Sequence, residues 1–186
     1  MRALVSGKTV ALVGRAGSIL GTGHGPAIDA AEVVVRVNWL MIPVPEEYAP
    51  DVGTRTDLVY TCLLCATARR LAKENGIPWK RSSGGRRARW SAKLFPKREV
   101  WRMSTGCLAA VHLLKAGARR VNLYGFDLMR SEHYQERTPD GNNPDGSKSG
   151  RWLHDWDLER KAWLRLLKKH GSKLAPDAVF REALGL

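Results

Sequence analysis

The sequence lacks any hydrophobic run long enough to cross a membrane, and it has few cysteines. No apolar stretch approaches the roughly 18 residues that a membrane-spanning helix needs. Three cysteines in 186 residues are too few for a disulfide framework, which favours a reducing compartment. We therefore expect a cytoplasmic protein with no membrane span.

Acidic residues are also scarce. Lysine and arginine together number 31 against 18 acids, which gives a net charge of +13. The hydrophobic fraction of 44% excludes a disordered basic tail, and the length predicts one domain over residues 1–186. A charge excess of this size predicts an anionic partner, such as nucleic acid, nucleotide phosphates or an anionic membrane surface.

Apolar runs alternate with helical patterns along the chain. Strands are predicted at residues 9–13, 32–37, 58–61 and 121–124, and the start of the chain, residues 1–14, also has the pattern of a buried strand. Helices are predicted at residues 63–75, 104–114 and 154–169. This alternation predicts an α/β, Rossmann-like domain with a mostly parallel sheet flanked by helices.

Two segments are predicted to be loops with possible functions. Residues 137–150 hold three glycines and two prolines among polar residues, which predicts a flexible lid. Residues 79–102 carry nine basic side chains against one acid, with three interleaved tryptophans. The second segment is either a solvated basic loop or a platform that contacts an anionic acceptor through Arg86, Arg87 and Arg89.

Single motifs in this sequence are weak evidence. Gly14 to Gly17 form a glycine turn after a strand, which suits a phosphate but is also common in tight turns. Cys62 and Cys65 lack the second pair that a zinc site needs, so core packing is favoured. Asp155 and Asp157 have the Asp-x-Asp form of some metal-dependent sugar transferases, but acids are also favoured in a first helical turn.

Four segments taken in order are more informative. The first runs from Val10 to Thr56 and contains a strand, a glycine turn, Arg-x-Asn ending at Asn38, and Asp-x-Gly-x-x-Thr. The others are Ser-Thr-Gly at 104–106 with Tyr-Gly-Phe at 124–126, then His-Tyr-Gln-Glu at 133–136, then His154 with Glu159. This order resembles the long, short, third and last motifs of glycosyltransferase family 29, the sialyltransferases.

The resemblance implies a fold of the variant GT-A type found in sialyltransferases. Two departures from the family pattern are informative: Arg15 stands where the family usually has asparagine, and the cysteines that join the first two motifs in secretory members are absent. These departures indicate a short, soluble bacterial or viral member.

The resemblance also implies a reaction and a set of residues. It implies an inverting, metal-independent transfer of sialic acid or a related sugar from a CMP-activated donor, with no other cofactor. His154, predicted to open a helix whose dipole keeps the imidazole neutral, is the implied general base, and His133 faces the leaving phosphate. Glu159, five positions after His154, is expected to support the turn rather than to contact His154. The implied donor-binding residues are Gly14, Arg15, Asn38, Ser104, Thr105, Gly106, Gly125 and Tyr134.

The acceptor is left open by the sequence. A saccharide is typical of the family, whereas the positive charge also suits a hydroxylated base in viral DNA. A nucleic-acid-binding module on an inactive transferase fold is a further alternative, which the presence of both histidines and Ser104-Thr105-Gly106 disfavours.

Overall fold

The described residues of the computed structural model, 1–62, 66–82, 103–132, 134 and 155–186, form a parallel six-stranded sheet. The strands are β1 (Thr9–Val13), β2 (Val33–Val37), β3 (Leu58–Thr61), β4 (Trp79–Arg81), β5 (Arg120–Tyr124) and β6 (Leu174–Pro176). Their order across the sheet is β4-β3-β2-β1-β5-β6, and every neighbouring pair is parallel.

Helices cover both faces of this sheet. They are α1 (Arg2–Val5), α2 (Gly25–Asp29), α3 (Ala49–Val52), α4 (Ala66–Glu74), α5 (Thr105–Lys115), α6 (Trp156–His170) and α7 (Ala178–Leu184). One core joins α5, α6 and α7 to the sheet, and a second core lies beneath α2 and α3. None of these helices is long and apolar enough to cross a membrane.

The predicted α/β class is confirmed, with several local differences. Only the second half of residues 1–14 forms a strand, since Arg2–Val5 form a short helix before β1. The exposed strand β4 lies within the predicted basic loop, and β6 with α7 was not predicted. The predicted lid at 137–150 and the predicted single domain are not tested, since residues 135–154 lie outside the described ranges.

The strand order places a topological switch point between β1 and β5. The chain moves outward from β1 through β2 and β3 to β4, and then returns to the other side of β1 to form β5. In open α/β sheets, ligands bind in the crevice beyond the carboxyl ends of the strands at this point. The residues that follow β1, β2, β3 and β5 therefore form the expected binding edge.

Two carboxylates brace the chain around α2 and α3. Asp51 accepts hydrogen bonds from the N–H groups of Gly21 (2.8 Å) and Gly23 (2.7 Å), just before α2. Asp29, at the end of α2, accepts from the N–H groups of Thr54 (2.8 Å) and Arg55 (3.0 Å), just after α3. Each helix thus supplies a carboxylate to the loop beside the other helix, and this fixes the long motif around β2.

The brace predicts a dependence of stability on pH. Partial burial opposes ionisation of Asp29, but hydrogen bonds from Thr54 and Arg55 outweigh it and lower its pKa from the ordinary 3.8. A lowered pKa in the folded state stabilises the protein above the ordinary pKa, and this contribution is lost as pH falls through the folded value. We expect Asp29→Asn to lower the melting temperature at pH 7, and the difference from wild type to shrink below about pH 4.

Thermal unfolding from pH 7 to pH 3 measures this effect. Glu47→Gln, which removes an exposed acid from a neighbouring turn, is the control and should show no comparable narrowing. A difference between Asp29→Asn and wild type that stays constant over this range would contradict the brace.

Candidate active site at the carboxyl edge of the sheet

The glycine turn after β1 crosses the end of β5 in close contact. The N–H of Gly14 donates to the carbonyl oxygen of Tyr124 (2.8 Å), and the N–H of Ala16 donates to the carbonyl oxygen of Gly125 (3.1 Å). A Cβ atom on Gly14 would lie 2.2 Å from the carbonyl oxygen of Gly125, so a side chain has no room there. Gly125 has a φ of 68°, which favours glycine. The structure therefore brings two of the predicted donor-binding glycines together at the switch point.

The Phe126 ring connects this crossing to the start of α5. A Cβ atom on Gly14 would lie 3.1 Å from the ring, and one on Gly106 would lie 2.3 Å from it. Ser104 caps α5, because its Oγ accepts from the N–H of Cys107 (3.2 Å). The N–H groups of Thr105 and Gly106 belong to this same first turn, where amides lack acceptors within the helix and favour an anion.

Glu159 holds the helix start in place from α6. Its Oε2 accepts from the N–H of Ser104 (2.6 Å), and its Oε1 accepts from the Ser104 hydroxyl. The indole N–H of Trp163 also donates to Oε1 (3.3 Å), and Glu159 is only 2% exposed. The residue predicted to support the site thus joins the last motif to the short motif across 55 positions.

Asn38 lies at the end of β2 in a left-handed conformation with a φ of 48°. Its N–H donates to the carbonyl oxygen of Tyr60 (2.9 Å), and its Oδ1 accepts from the N–H of Cys62 (2.9 Å). These two hydrogen bonds hold Asn38, after β2, against the end of β3. Cys62 is half-buried in the small core beneath α4, which agrees with the packing role predicted for it.

Below Asn38, the buried Arg36 organises the long motif. Its Nε donates to Thr56 Oγ1 (2.9 Å), and its Nη2 donates to the carbonyl oxygen of Val52 (2.9 Å). The guanidinium lies 4.3 Å from the ring centroid of Trp39, and burial lowers the Arg36 pKa to about 10. The ring of Tyr134 packs edge-on against Trp39 with centroids 5.9 Å apart. Tyr134 thus lies beside the Trp39 ring, which covers Arg36. Trp39 directly follows Asn38 in the chain.

A second carboxylate, at the start of α7, accepts a hydrogen bond from Gly125. Asp177, which caps α7, accepts from the N–H groups of Phe180 (2.8 Å) and Gly125 (3.3 Å). Burial raises its pKa above the ordinary value. Burial and Asp177 also raise the pKa of Tyr124, whose ring centroid lies 5.2 Å from that of His24. The sequence did not indicate these contacts, because Asp177 lies 52 positions from Gly125.

Several predicted site residues lie outside the described ranges. They are His133, His154, Arg86, Arg87, Arg89 and Cys65. The helix predicted to begin at residue 154 begins at Trp156 instead, because Asp155 is its N-cap and accepts from the N–H of Leu158 (3.0 Å). Arg15, which is described, lies half-buried in the glycine turn.

The described residues show no group of three or more metal-binding side chains. Asp155 has a structural use as the cap of α6, and Asp157 is exposed in its first turn. Cys107, one helical turn from Ser104, is fully buried, and burial raises its pKa. A neutral, enclosed thiol is a poor nucleophile, so Cys107 is a packing residue.

Comparisons with known proteins agree with this arrangement. Residues 5–83 match the model of "Glycosyltransferase family 29 (sialyltransferase)". A stretch of 53 residues is 42% identical to "Sialyltransferase-like protein 2" of Oryza sativa subsp. indica, and it covers 28% of this chain but only 13% of that protein. The relative is a plant protein, so the bacterial or viral origin stays a prediction.

Solved sialyltransferase structures share the fold. A mammalian sialyltransferase superposes with a TM-score of 0.58 at 22% identity, covering 94% of this chain and 70% of that one. CstII from Campylobacter jejuni, solved in complex with cytidine-5'-monophosphate, superposes with a TM-score of 0.58 at 13% identity, covering 96% and 84%. The predicted sialyltransferase-type fold is confirmed.

Proposed function

We propose that this protein is an inverting glycosyltransferase that transfers sialic acid or a related sugar from a CMP-activated donor to an acceptor hydroxyl. The observation that carries the proposal is the meeting of separate motifs at one edge of the sheet. Gly14 crosses Gly125 there, and Ser104 is hydrogen-bonded to Glu159. Family 29 matches the first part of the chain, and CstII carries CMP on the same fold.

The donor phosphate would lie between the glycine turn and the start of α5. Arg15 adds a half-buried positive charge to the turn in which Gly14 crosses Gly125. The N–H groups of Thr105 and Gly106 would stabilise the negative charge that grows on CMP as it leaves. These residues form the phosphate side of the proposed site, with Asn38 at the next strand end.

The two histidines would handle the protons. His154 would take the proton of the acceptor hydroxyl as its oxygen attacks the anomeric carbon, and His133 would hydrogen-bond or protonate the departing phosphate. A single displacement of this kind inverts the anomeric carbon. The leaving phosphate is stabilised by side-chain and backbone donors, so the proposal requires no metal and no further cofactor.

The acceptor is proposed to be an anionic saccharide. A mammalian relative in fold was solved with Gal-beta-1-3GalNAc-ortho-nitrophenol, which is a saccharide. Within the described residues, α4 and β4 contact each other and carry five basic side chains against the single acid Glu74, and Trp79 is 44% exposed. Arg86, Arg87 and Arg89 would extend this basic surface. The same charge keeps a hydroxylated base in DNA as the second candidate acceptor.

Binding of CMP is the direct test of the donor class. We expect CMP to raise the melting temperature in the presence of a chelator, because the proposed site binds phosphate through protein groups alone. At a concentration 100 times its dissociation constant, CMP should add about 2.7 kcal/mol to the unfolding free energy. Equal stabilisation by UDP in the same chelator, or none by CMP, would contradict the donor assignment.

A further inference from the structure

A buried carboxylate fastens the loop after β5 to the turn after β1. Asp127 is only 4% exposed, although it carries an ionisable group. Its Oδ2 accepts from the hydroxyl of Ser18 (3.0 Å), from the N–H of Ser131 (2.9 Å) and from the Ser131 hydroxyl. Asp127 Oδ2 is therefore a common acceptor for two segments 109 positions apart.

Two more hydrogen bonds run between the same segments. The N–H of Ser18 donates to the Ser131 Oγ (3.0 Å), which leaves the hydroxyl proton of Ser131 for Asp127. The N–H of Gly17 donates to the carbonyl oxygen of Glu132 (2.7 Å), and a Cβ atom on Gly17 would lie 2.6 Å from that oxygen. The two segments therefore meet too closely for any side chain at position 17.

The backbone of the fastened loop is strained. Leu128 and Met129 have φ values of 57° and 61°, so two consecutive residues other than glycine lie in the left-handed region. Such conformations are unfavourable for residues other than glycine and persist where the surrounding contacts hold them. Asp127 on one side and Ser131 with Glu132 on the other supply those contacts.

We propose that Asp127, Ser18 and Ser131 form a positioning clamp that sets where the third motif enters the active site. The clamp ends at Glu132, immediately before His133, and the ring of Tyr134 on the other side of that residue packs against Trp39 and Tyr48. The clamp thus fixes Glu132, the residue before the third motif, relative to the glycine turn that would hold the donor phosphate. This inference rests on the proposed function and adds three residues that touch neither donor nor acceptor.

Steady-state kinetics on substituted full-length chains test the clamp. We expect Asp127→Asn and Ser131→Ala to lower kcat by about 10- to 100-fold, because misplacing a reacting group by about 1 Å costs up to about 100-fold. The dissociation constant of CMP should rise by a smaller factor than kcat falls, because the first turn of α5 keeps its hydrogen bonds to Glu159 when the clamp is removed. Ser131→Thr, which keeps the hydroxyl, should restore most of the rate. Glu182→Gln, an exposed acid on α7, is the charge-matched control.

A purely structural role predicts a different result. Lowered stability with unchanged kcat at a temperature where the variants are folded would overturn the clamp, and so would equal loss in Ser131→Ala and Ser131→Thr. Amide hydrogen exchange gives a readout that does not depend on turnover: Asp127→Asn should speed exchange in both residues 16–19 and 127–132. If the wild-type protein neither binds CMP nor turns over donor, the proposed function fails. The clamp is overturned separately if Asp127→Asn leaves amide exchange in residues 16–19 and 127–132 unchanged.

Discussion

His154→Ala is expected to lower the rate of sugar transfer by about 10² to 10⁴, the usual effect of losing a general base. The affinity for CMP should stay close to wild type, because the base acts on the acceptor hydroxyl and not on the donor. The measurement is kcat for transfer beside the dissociation constant of CMP for the same preparation. A variant that kept more than about a third of the wild-type rate, far above that range, would show that His154 is not the base.

His133→Ala is the matched comparison for this experiment. His133 is proposed to face the leaving phosphate, so its loss should weaken CMP binding as well as turnover. The two variants therefore separate the acceptor side of the reaction from the donor side. Loss of CMP binding in His154→Ala with full binding in His133→Ala would reverse the two assignments.

Glu159→Ala is expected to destabilise the fold by about 3 kcal/mol or more. Hydrogen bonds to a charged group contribute about 1.5 to 3 kcal/mol each, and this substitution removes those from the N–H and hydroxyl of Ser104. It also leaves the buried indole N–H of Trp163 without this acceptor. Because Ser104 caps α5, the phosphate-binding turn should loosen, and CMP affinity should fall together with stability.

Urea unfolding measures the stability change. Asp157→Ala is the control, since Asp157 is an exposed acid in the same first turn of α6. It should cost about 1 kcal/mol or less, which is the scale of a charge near a helix end. Equal losses in the two variants would mean that Glu159 acts only through the helix dipole and not through Ser104.

The central strands were predictable because strands buried on both faces have continuous apolar sequences. Residues 9–13 and 58–61 form strands at the predicted bounds, since both lie in the middle of a sheet covered on two faces. The edge strands were not predictable in this way. Trp79–Arg81 is basic and exposed, and Leu174–Pro176 is short and ends in proline, so neither has the pattern of a buried strand.

The site was predictable at the level of motifs and not at the level of contacts. A helix beginning at residue 104 was predicted from local pattern, and the Ser104 hydroxyl caps α5. Its bond to Glu159 spans 55 positions, and the bond from Ser18 to Asp127 spans 109. No local periodicity encodes such pairs, because they depend on how the sheet brings strand ends together. Asp127 carried one weak signal, an acid two residues beyond Gly125, the glycine that follows β5.

Amide hydrogen exchange with and without CMP, in the presence of a chelator, tests the central claim most directly. The claim is that the edge formed by the glycine turn after β1, the end of β2 and the start of α5 binds the nucleotide of the donor. We predict that CMP slows exchange in residues 104–107, where the N–H groups of Thr105 and Gly106 would contact the phosphate. It should also slow exchange in residues 14–18, because a ligand beside this turn would stabilise the hydrogen bonds that its N–H groups donate to Tyr124, Gly125, Ser131 and Glu132. CMP that binds while exchange in both of these segments stays unchanged would contradict the account.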